Sequence, residues 1–391
     1  MHFKGCTRSA LLTTIVVCVY LTLAHCSAPG DECLAKAVEE DICVRNPSGM
    51  KAKGTLETLM NALTSQPAKR HSAPLLRLEK KKRSFTGDVC GPPYVRAKLP
   101  LPGSVFMCVY NSRQDRYISS SIAGGHYWDD FVMGHMLREL EGKPQGLESD
   151  LQNSFVALGY RRRRLRWLTF FTGIVLDAGA NIGQFSIAAA SFGHVVYSFE
   201  PMTENVDLML RSVYINPGFE ERVHIFQVGL SDEEGTGELL TPESNRGGGN
   251  MRRLLSENLL KEDNVHIIRL DSILHLLRQR HPGLPIHFFK ADVEGYEPRM
   301  LKGASGLFRA YNISTLALEI QRTEWDWQGC PASKVMKAFE NCGYNIVTSM
   351  TGKKNMKADA VAAKAGTFRT LDTVLFKSPI YWAAFRNPAF Y

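Results

Sequence analysis

Residues 173–201, GIVLDAGANIGQFSIAAASFGHVVYSFEP, constrain the fold of this chain more than any other stretch. They parse as strand, tight glycine turn, helix and second strand. Gly173 to Leu176 is a short apolar run of the kind that fills a buried parallel strand, and Asp177 ends it. Gly179 and Gly183 frame a turn in which the backbone passes close to a ligand and a Cβ would intrude. Small and apolar residues at helical spacing run from Asn181 to Phe192. Val195 to Phe199 is the next strand, with Glu200 at its carboxyl end.

In an open α/β sheet, ligands bind outside the carboxyl ends of the strands. An acid at the end of the second strand can accept both hydroxyls of a ribose, so the arrangement predicts a nucleoside pocket. A dinucleotide site needs G-x-G-x-x-G, which lets a pyrophosphate approach the helix N-terminus. From Gly179, that register puts Asn181 and Gln184 where the second and third glycines belong. The pattern present is D-x-G-x-x-x-G, Asp177 to Gly183, which suits S-adenosylmethionine. That ligand has no phosphate, and its amino-acid end needs an acid and backbone groups beside the turn.

The N-terminus reads as a targeting segment. Lys4 and Arg8 form a positive region, Ala10 to Ala24 is apolar, and Ala24, Cys26, Ser27 and Ala28 supply small residues for a cut. A signal peptide over residues 1–28 is expected, with an uncleaved anchor through residues 10–24 as the alternative. The expected location is the Golgi lumen or the secreted space. Six cysteines follow the leader, Cys33, Cys43, Cys90, Cys108, Cys330 and Cys342, an even number that permits disulfides. Cys330 and Cys342 flank one predicted helix and could pair. No C-x-x-C spacing is present, which argues against a structural zinc site.

Residues 29–109 read as a poorly ordered stem or linker, with a basic run at Glu79 to Arg83. Cys90 to Tyr94, CGPPY, reads as a rigid proline loop. The globular domain is expected over residues 110–391, opening with a strand at Tyr117 to Ile122. A helix then presents Trp128, Phe131, Val132, Met136, Leu137 and Leu140 on one face. The net charge of +8 owes much to local runs such as Arg161 to Arg166. Nucleic-acid binders interleave basic residues with stacking aromatics over a wider surface, so no nucleic-acid partner is expected.

Beyond Glu200 the alternation continues. A helix is expected from Thr203, its N-cap, to Tyr214, then a strand at Val223 to Val228 ending in Gly229-Leu230-Ser231-Asp232. Ser231 or Asp232 could take an adenine amino group there. Gly247 to Asn250 is a flexible loop. A strand at Val265 to Leu270 leads to a helix capped by Asp271. Ile286 to Ala291 is the fourth core strand, and Asp292-Val293-Glu294-Gly295-Tyr296-Glu297-Pro298 follows it. Three carboxylates in that turn, at the carboxyl end of a central strand, mark a functional edge. Thr315 to Ile320 is the fifth strand, and Asn345 to Thr348 with Leu371 to Lys377 close one edge of the sheet.

The segments VLDAGANIGQFS, VYSFEP, VGLSD, IIRLDSILHLL, FFKADVEGYEPRMLKGA and LALEI together resemble the FkbM family of methyltransferases. The K-x-D-x-E-G-x-E block, Lys290 to Glu297, is the most specific part. The resemblance implies a class I methyltransferase fold: a Rossmann-like, seven-stranded, mostly parallel sheet with helices on both faces. It implies transfer of the methyl group of S-adenosylmethionine, usually to a hydroxyl oxygen of a sugar, polyketide or lipid-like acceptor. By position, Asp177, Gly179, Asn181 and Gly183 look like the cofactor turn, Glu200 like the ribose acid, and Ser231 and Asp232 lie at the adenine end. The enzyme must align the acceptor oxygen and remove its proton. Asp292 or Glu294 could be that base. Asp292 could instead bind the cofactor's amino group, leaving Glu294 or Glu319 as base, with Lys290 orienting the carboxylates. A divalent metal on Asp292 and Glu294 is a further possibility, though no metal is expected. A non-catalytic nucleoside-binding module of the same fold and a nicotinamide oxidoreductase are the rival readings.

Overall fold

The computed structural model describes residues 30–40, 85, 88–141, 173–242, 259–313, 315–348 and 370–376. The leader, the two basic runs, the Gly247 loop, residues 349–369 and the tail after Phe376 lie outside the described residues. In chain order, the elements begin with helix α1 (Glu32–Glu40), strands β1 (Tyr94–Lys98) and β2 (Phe106–Tyr110), and helices α2 (Ile118–Ala123) and α3 (Asp130–Glu141). The alternating unit follows: β3 (Ile174–Ala178), α4 (Gln184–Ser191), β4 (Val195–Phe199), α5 (Thr203–Tyr214) and β5 (Val223–Phe226). A side sheet comes next, β6 (Gly229–Leu230), β7 (Gly235–Pro242) and β8 (Leu259–Ile268). The remainder is α6 (Leu274–Arg280), β9 (Ile286–Ala291), α7 (Glu297–Lys302), α8 (Ser305–Ala310), β10 (Thr315–Gln321), α9 (Arg322–Trp327), α10 (Ala332–Asn341), β11 (Asn345–Thr348) and β12 (Thr370–Phe376).

The central sheet has seven strands in the order β11-β12-β10-β9-β3-β4-β5. From β10 across to β5 the neighbours are parallel, and β12 runs antiparallel to both β10 and β11. One reversed strand near one edge of a parallel sheet is the class I methyltransferase arrangement that the sequence led us to expect. Both faces are covered, as parallel strands require. Leu176, Tyr197, Phe289 and Leu316 enter one core, while Val175, Val196, Phe288 and Ala317 enter the other, alternating with period two. Successive strands spread outward from β3 in opposite directions, β4 and β5 to one side and β9 and β10 to the other. The crevice at the carboxyl end of β3 is therefore the topological switch point.

The stem reading is corrected at both places where residues before 110 are described. Helix α1 buries Leu34 and Val38 in the main core. Cys33 is bonded to Cys342, 309 residues away, and Arg309 pairs with Glu32 and Glu39. The β1–β2 hairpin is clipped by Cys90–Cys108 and packs on α5, where Ser212 and Asn216 accept backbone N–H groups of β2. Composition hid this because both pieces are short and surrounded by polar sequence. Cys342 thus pairs with Cys33 and not with Cys330, which is buried.

Three local expectations also change. Tyr117 to Ile122 is not a strand. The Asp115 carboxylate accepts from the N–H groups of Tyr117, Ile118 and Ser119 and starts α2 there. Thr203 does not cap α5; the Met202 N–H just before the helix goes to Glu200. Asp271 does not cap its own helix but accepts from the Gly306 and Leu307 N–H groups at the start of α8. Among the described residues no helix is long and apolar enough to cross a membrane.

Candidate functional site

The β3–α4 turn is built around two left-handed positions that its glycines allow. Gly179 has φ +73° and Gly183 φ +89°. At Gly179 there is no room for a side chain, since a Cβ would lie 1.6 Å from the Asp292 carbonyl oxygen. Asn181 also takes positive φ, +55°, a conformation asparagine tolerates. The turn is pinned to β4 by Gly179 and Ala180, whose N–H groups both donate to the Phe199 carbonyl.

Glu200 completes this wall. It is 5% exposed. Its Oε2 accepts the Asn181 N–H at 2.8 Å, and its Oε1 accepts the Met202 N–H at 2.9 Å and the Asn205 amide at 3.2 Å. The carboxylate is thereby fixed in orientation at the edge of the turn.

An open cleft lies against these groups. Gly179, Asn181 and Glu200 line it on one side and Asp292, Val293 and Glu294 on the other. Phe199, Pro201, Val228, Gly229, Leu230 and Leu239 supply its apolar wall. Three carboxylates and no lysine or arginine are in that lining.

The acidic turn is held by Glu297, which is fully buried. Its Oε1 accepts the Val293 and Gly295 N–H groups, and its Oε2 accepts the Trp325 indole N–H at 2.9 Å. Burial still lifts its pKa, to about 7. Glu294 sits at φ +54°, a strained conformation for a residue with a side chain. Its Oε2 and the Oε2 of Glu319 both accept from the Gln321 amide, at 2.9 and 2.8 Å. Burial first, then the neighbouring Asp292 charge, raises Glu294 to about 8. The same two causes lift Glu319 well above its ordinary value.

Lys290 is the cation of this cluster. It is 6% exposed, and its ammonium lies 3.1 Å from Asp292, 3.9 Å from Asp177 and 3.0 Å from the Gly179 carbonyl. Burial works against its charge, but Asp292 and Asp177 more than compensate and its pKa is raised.

The structure therefore brings Gly179, Asn181, Glu200, Asp292 and Glu294 to one cavity, with Gly183, Lys290 and Glu319 adjoining. Asp177 is different. It is fully buried beneath the turn, bonded to Ser186 at 2.5 Å, and does not line the cavity. Ser231 and Asp232 are also corrected. Ser231 is buried and donates to Asp232, and Asp232 pairs at 2.7 Å with the buried Arg299. The wall they were expected to form is made by Val228, Gly229 and Leu230, directly upstream. Two further acids were missed. Asp372 is the cross-strand partner of Glu319 and is raised by burial to about 6. Asp129 is raised to about 7, by burial and then by Asp372. The hydrophobic strand pattern around 372 gave no sign of the first, and only sheet pairing could reveal it.

Asp292, Glu297 and Glu319 bring carboxylate oxygens within 4.8 Å of one another, a spacing a divalent cation could bridge. Both Glu297 oxygens are already engaged by Val293, Gly295 and Trp325.

Residues 177–346 match the Methyltransferase FkbM domain. Over that segment the chain is similar to the FkbM family of methyltransferases. Its match runs from the end of β3 into β11 and takes in every residue that lines the cavity. No curated protein matches the chain. Among solved structures, the chain is similar to Methyltransferase FkbM from Methylobacillus flagellatus KT, at 17% identity over 52% of this chain and 43% of that one, with TM-score 0.31. A precorrin-6y C5,15-methyltransferase from Geobacter metallireducens GS-15 aligns at 9% identity over 53% and 81%, TM-score 0.27. A TehB-like SAM-dependent methyltransferase from Corynebacterium glutamicum ATCC 13032 Kitasato aligns at 13% over 59% and 96%, TM-score 0.28. The chain spans less than half the length of the first of these.

Proposed function

We propose that this FkbM domain binds S-adenosylmethionine in the cavity at the β3 switch point and methylates a hydroxyl oxygen of an acceptor in the secretory pathway. The observation that carries the reading is the lining itself: Glu200, Asp292 and Glu294, with apolar walls and no basic residue. With Glu200 and Asp292 in its lining and no basic residue there, such a cavity disfavours a pyrophosphate. The donor set fits this cofactor. Glu200 has oxygens for a ribose diol, Phe199, Val228, Leu230 and Leu239 offer apolar surface to a purine, and Asp292 is a counter-ion for an ammonium group.

When bound, the cofactor supplies a methyl group on a positively charged sulfur, already a strong electrophile. The chain's task is to position the acceptor and receive its proton. Glu294 is the base in this reading. With its pKa at about 8 it is a far better proton acceptor than an ordinary glutamate, and Gln321 fixes its orientation while coupling it to Glu319. Lys290 holds Asp292 against the turn. The two disulfides, Cys33–Cys342 and Cys90–Cys108, suit an oxidising compartment and support the leader reading.

The test is transfer of labelled methyl from S-adenosylmethionine to glycan and lipid extracts, with Glu294→Gln as control. Transfer that the variant loses supports the reading. Cofactor binding without transfer to any extract favours a non-catalytic binding module, and binding of a nicotinamide dinucleotide instead would overturn it.

A further inference from the structure

We infer that the exposed ring pair of Trp128 and Tyr117 is the acceptor platform of this site and seats a pyranose ring. The inference rests on the methyl-transfer reading and narrows its acceptor to a sugar. Trp128 is 48% exposed and Tyr117 53% exposed. Their ring centroids are 6.2 Å apart at an interplanar angle of 67°. Large aromatic side chains normally bury their area, and this pair leaves about half of it in water.

The pair is held in place. Asp115 accepts the Tyr117 N–H at 3.0 Å and fixes the entry to α2. The Trp128 N–H donates to Gln184 Oε1 at 3.0 Å. Gln184 is 4% exposed and is the first residue of α4, the helix that the cofactor turn leads into. The other end of that amide, Nε2, is buried without a hydrogen-bond partner. The backbone N–H of Trp128 is therefore anchored one residue from Gly183, with an unspent amide donor behind it.

The next residue connects the platform to the acids. Asp129 caps α3 through the Val132 N–H at 3.0 Å, and its carboxylate interacts electrostatically with Asp372, Asp292 and Lys290. Helix α3 packs on β9 and β12, the strands that carry Lys290 and Asp372. Asp129 thus links the segment that carries the exposed rings to Asp372 and to Asp292 in the cavity, and Asp372 is the cross-strand partner of Glu319.

A pyranose matches this combination. One face of the ring is lined with C–H groups and packs on an aromatic face, while its hydroxyls need acceptors around the edge. An acyl chain would instead bring hydrocarbon against four carboxylates, which desolvation opposes. A quaternary ammonium group favours an enclosing cage of aromatic faces, whereas the edge-to-face pair here presents one open face. The platform precedes the segment matched by the FkbM domain, residues 177–346.

The experiment is binding of methyl glucoside, galactoside, mannoside, fucoside and xyloside to the full chain, read by saturation-transfer NMR and calorimetry. Wild type is compared with Trp128→Ala, Trp128→Phe and Tyr117→Ala. At least one pyranoside should bind, and Trp128→Ala should weaken it about tenfold or more while Trp128→Phe keeps most of the affinity. Failure of every pyranoside to bind, undiminished binding by Trp128→Ala, or Trp128-dependent binding of choline or decanoate in place of sugar would overturn the inference. S-adenosylmethionine is titrated into the same samples. Loss of cofactor binding with sugar binding intact would sink the methyl-transfer reading and uphold the platform; the converse would sink the platform alone.

Discussion

The ammonium group of Lys290 donates to the carbonyl oxygen of Gly179 at 3.0 Å, tying the end of β9 to the glycine turn after β3. The same group lies between a buried carboxylate, Asp177, and one that faces the cavity, Asp292. The cofactor turn and the acidic turn are therefore fixed to each other through one side chain.

Lys290→Met should remove that tie and leave Asp177 and Asp292 without their cation. Breaking a buried pair in this way costs about 3–5 kcal/mol. Urea unfolding should show the loss. Adding Asp177→Asn to the variant should recover part of it, because the buried negative charge is then gone.

Gly179→Ala should be worse for binding than for any other function of the chain. The new Cβ would meet the Asp292 carbonyl, and φ +73° is costly for alanine. Overpacking and the left-handed conformation together amount to about 2–5 kcal/mol. Calorimetry should find S-adenosylmethionine binding abolished.

The acids give opposite pH trends for stability and activity. Glu294 stands at about 8 against an ordinary 4.5, Glu297 and Asp129 at about 7, and Asp372 at about 6, in each case chiefly through burial. Between about pH 4 and 8 the folded chain keeps protons that the unfolded chain has released. Stability should therefore fall as pH rises through that window. A base must be unprotonated, so kcat/KM should instead rise with pH until it levels above about 8. Glu294→Gln should lower kcat by about 10²–10⁴-fold and remove that rise.

Cys33→Ser should destabilise the domain by about 2–5 kcal/mol, because the Cys33–Cys342 bond closes a very long loop. Hydrogen exchange should show α1 opening before the central sheet. Equal protection of α1 in the variant would mean that Leu34, Val38 and the Arg309 ion pairs hold it unaided.

Much of the site was legible in the sequence because its two halves are local. Gly179 and Gly183 punctuate an otherwise apolar text, and Asp292, Glu294 and Glu297 are neighbours in the chain. Glu200 follows from strand length alone. What could not be read depends on distance along the chain. Asp372 reaches Glu319 only through antiparallel pairing of β12 with β10. Asp232 is committed to Arg299, 67 residues on. Asp177 was assigned by motif to a ligand, but its side chain turns under the glycine turn toward Ser186 and Lys290. Helix α1 and the β1–β2 hairpin read as linker because much of the burial that stabilises them comes from distant elements, α8 and α10 for the helix and α5 for the hairpin.

Titration of S-adenosylmethionine into wild type and Glu200→Ala tests the central claim most directly. Wild type should bind one equivalent, and the variant should bind at least tenfold more weakly, since a hydrogen bond to a charged group is worth about 1.5–3 kcal/mol. No binding by wild type, or equal binding by the two, would contradict a cofactor held by that carboxylate.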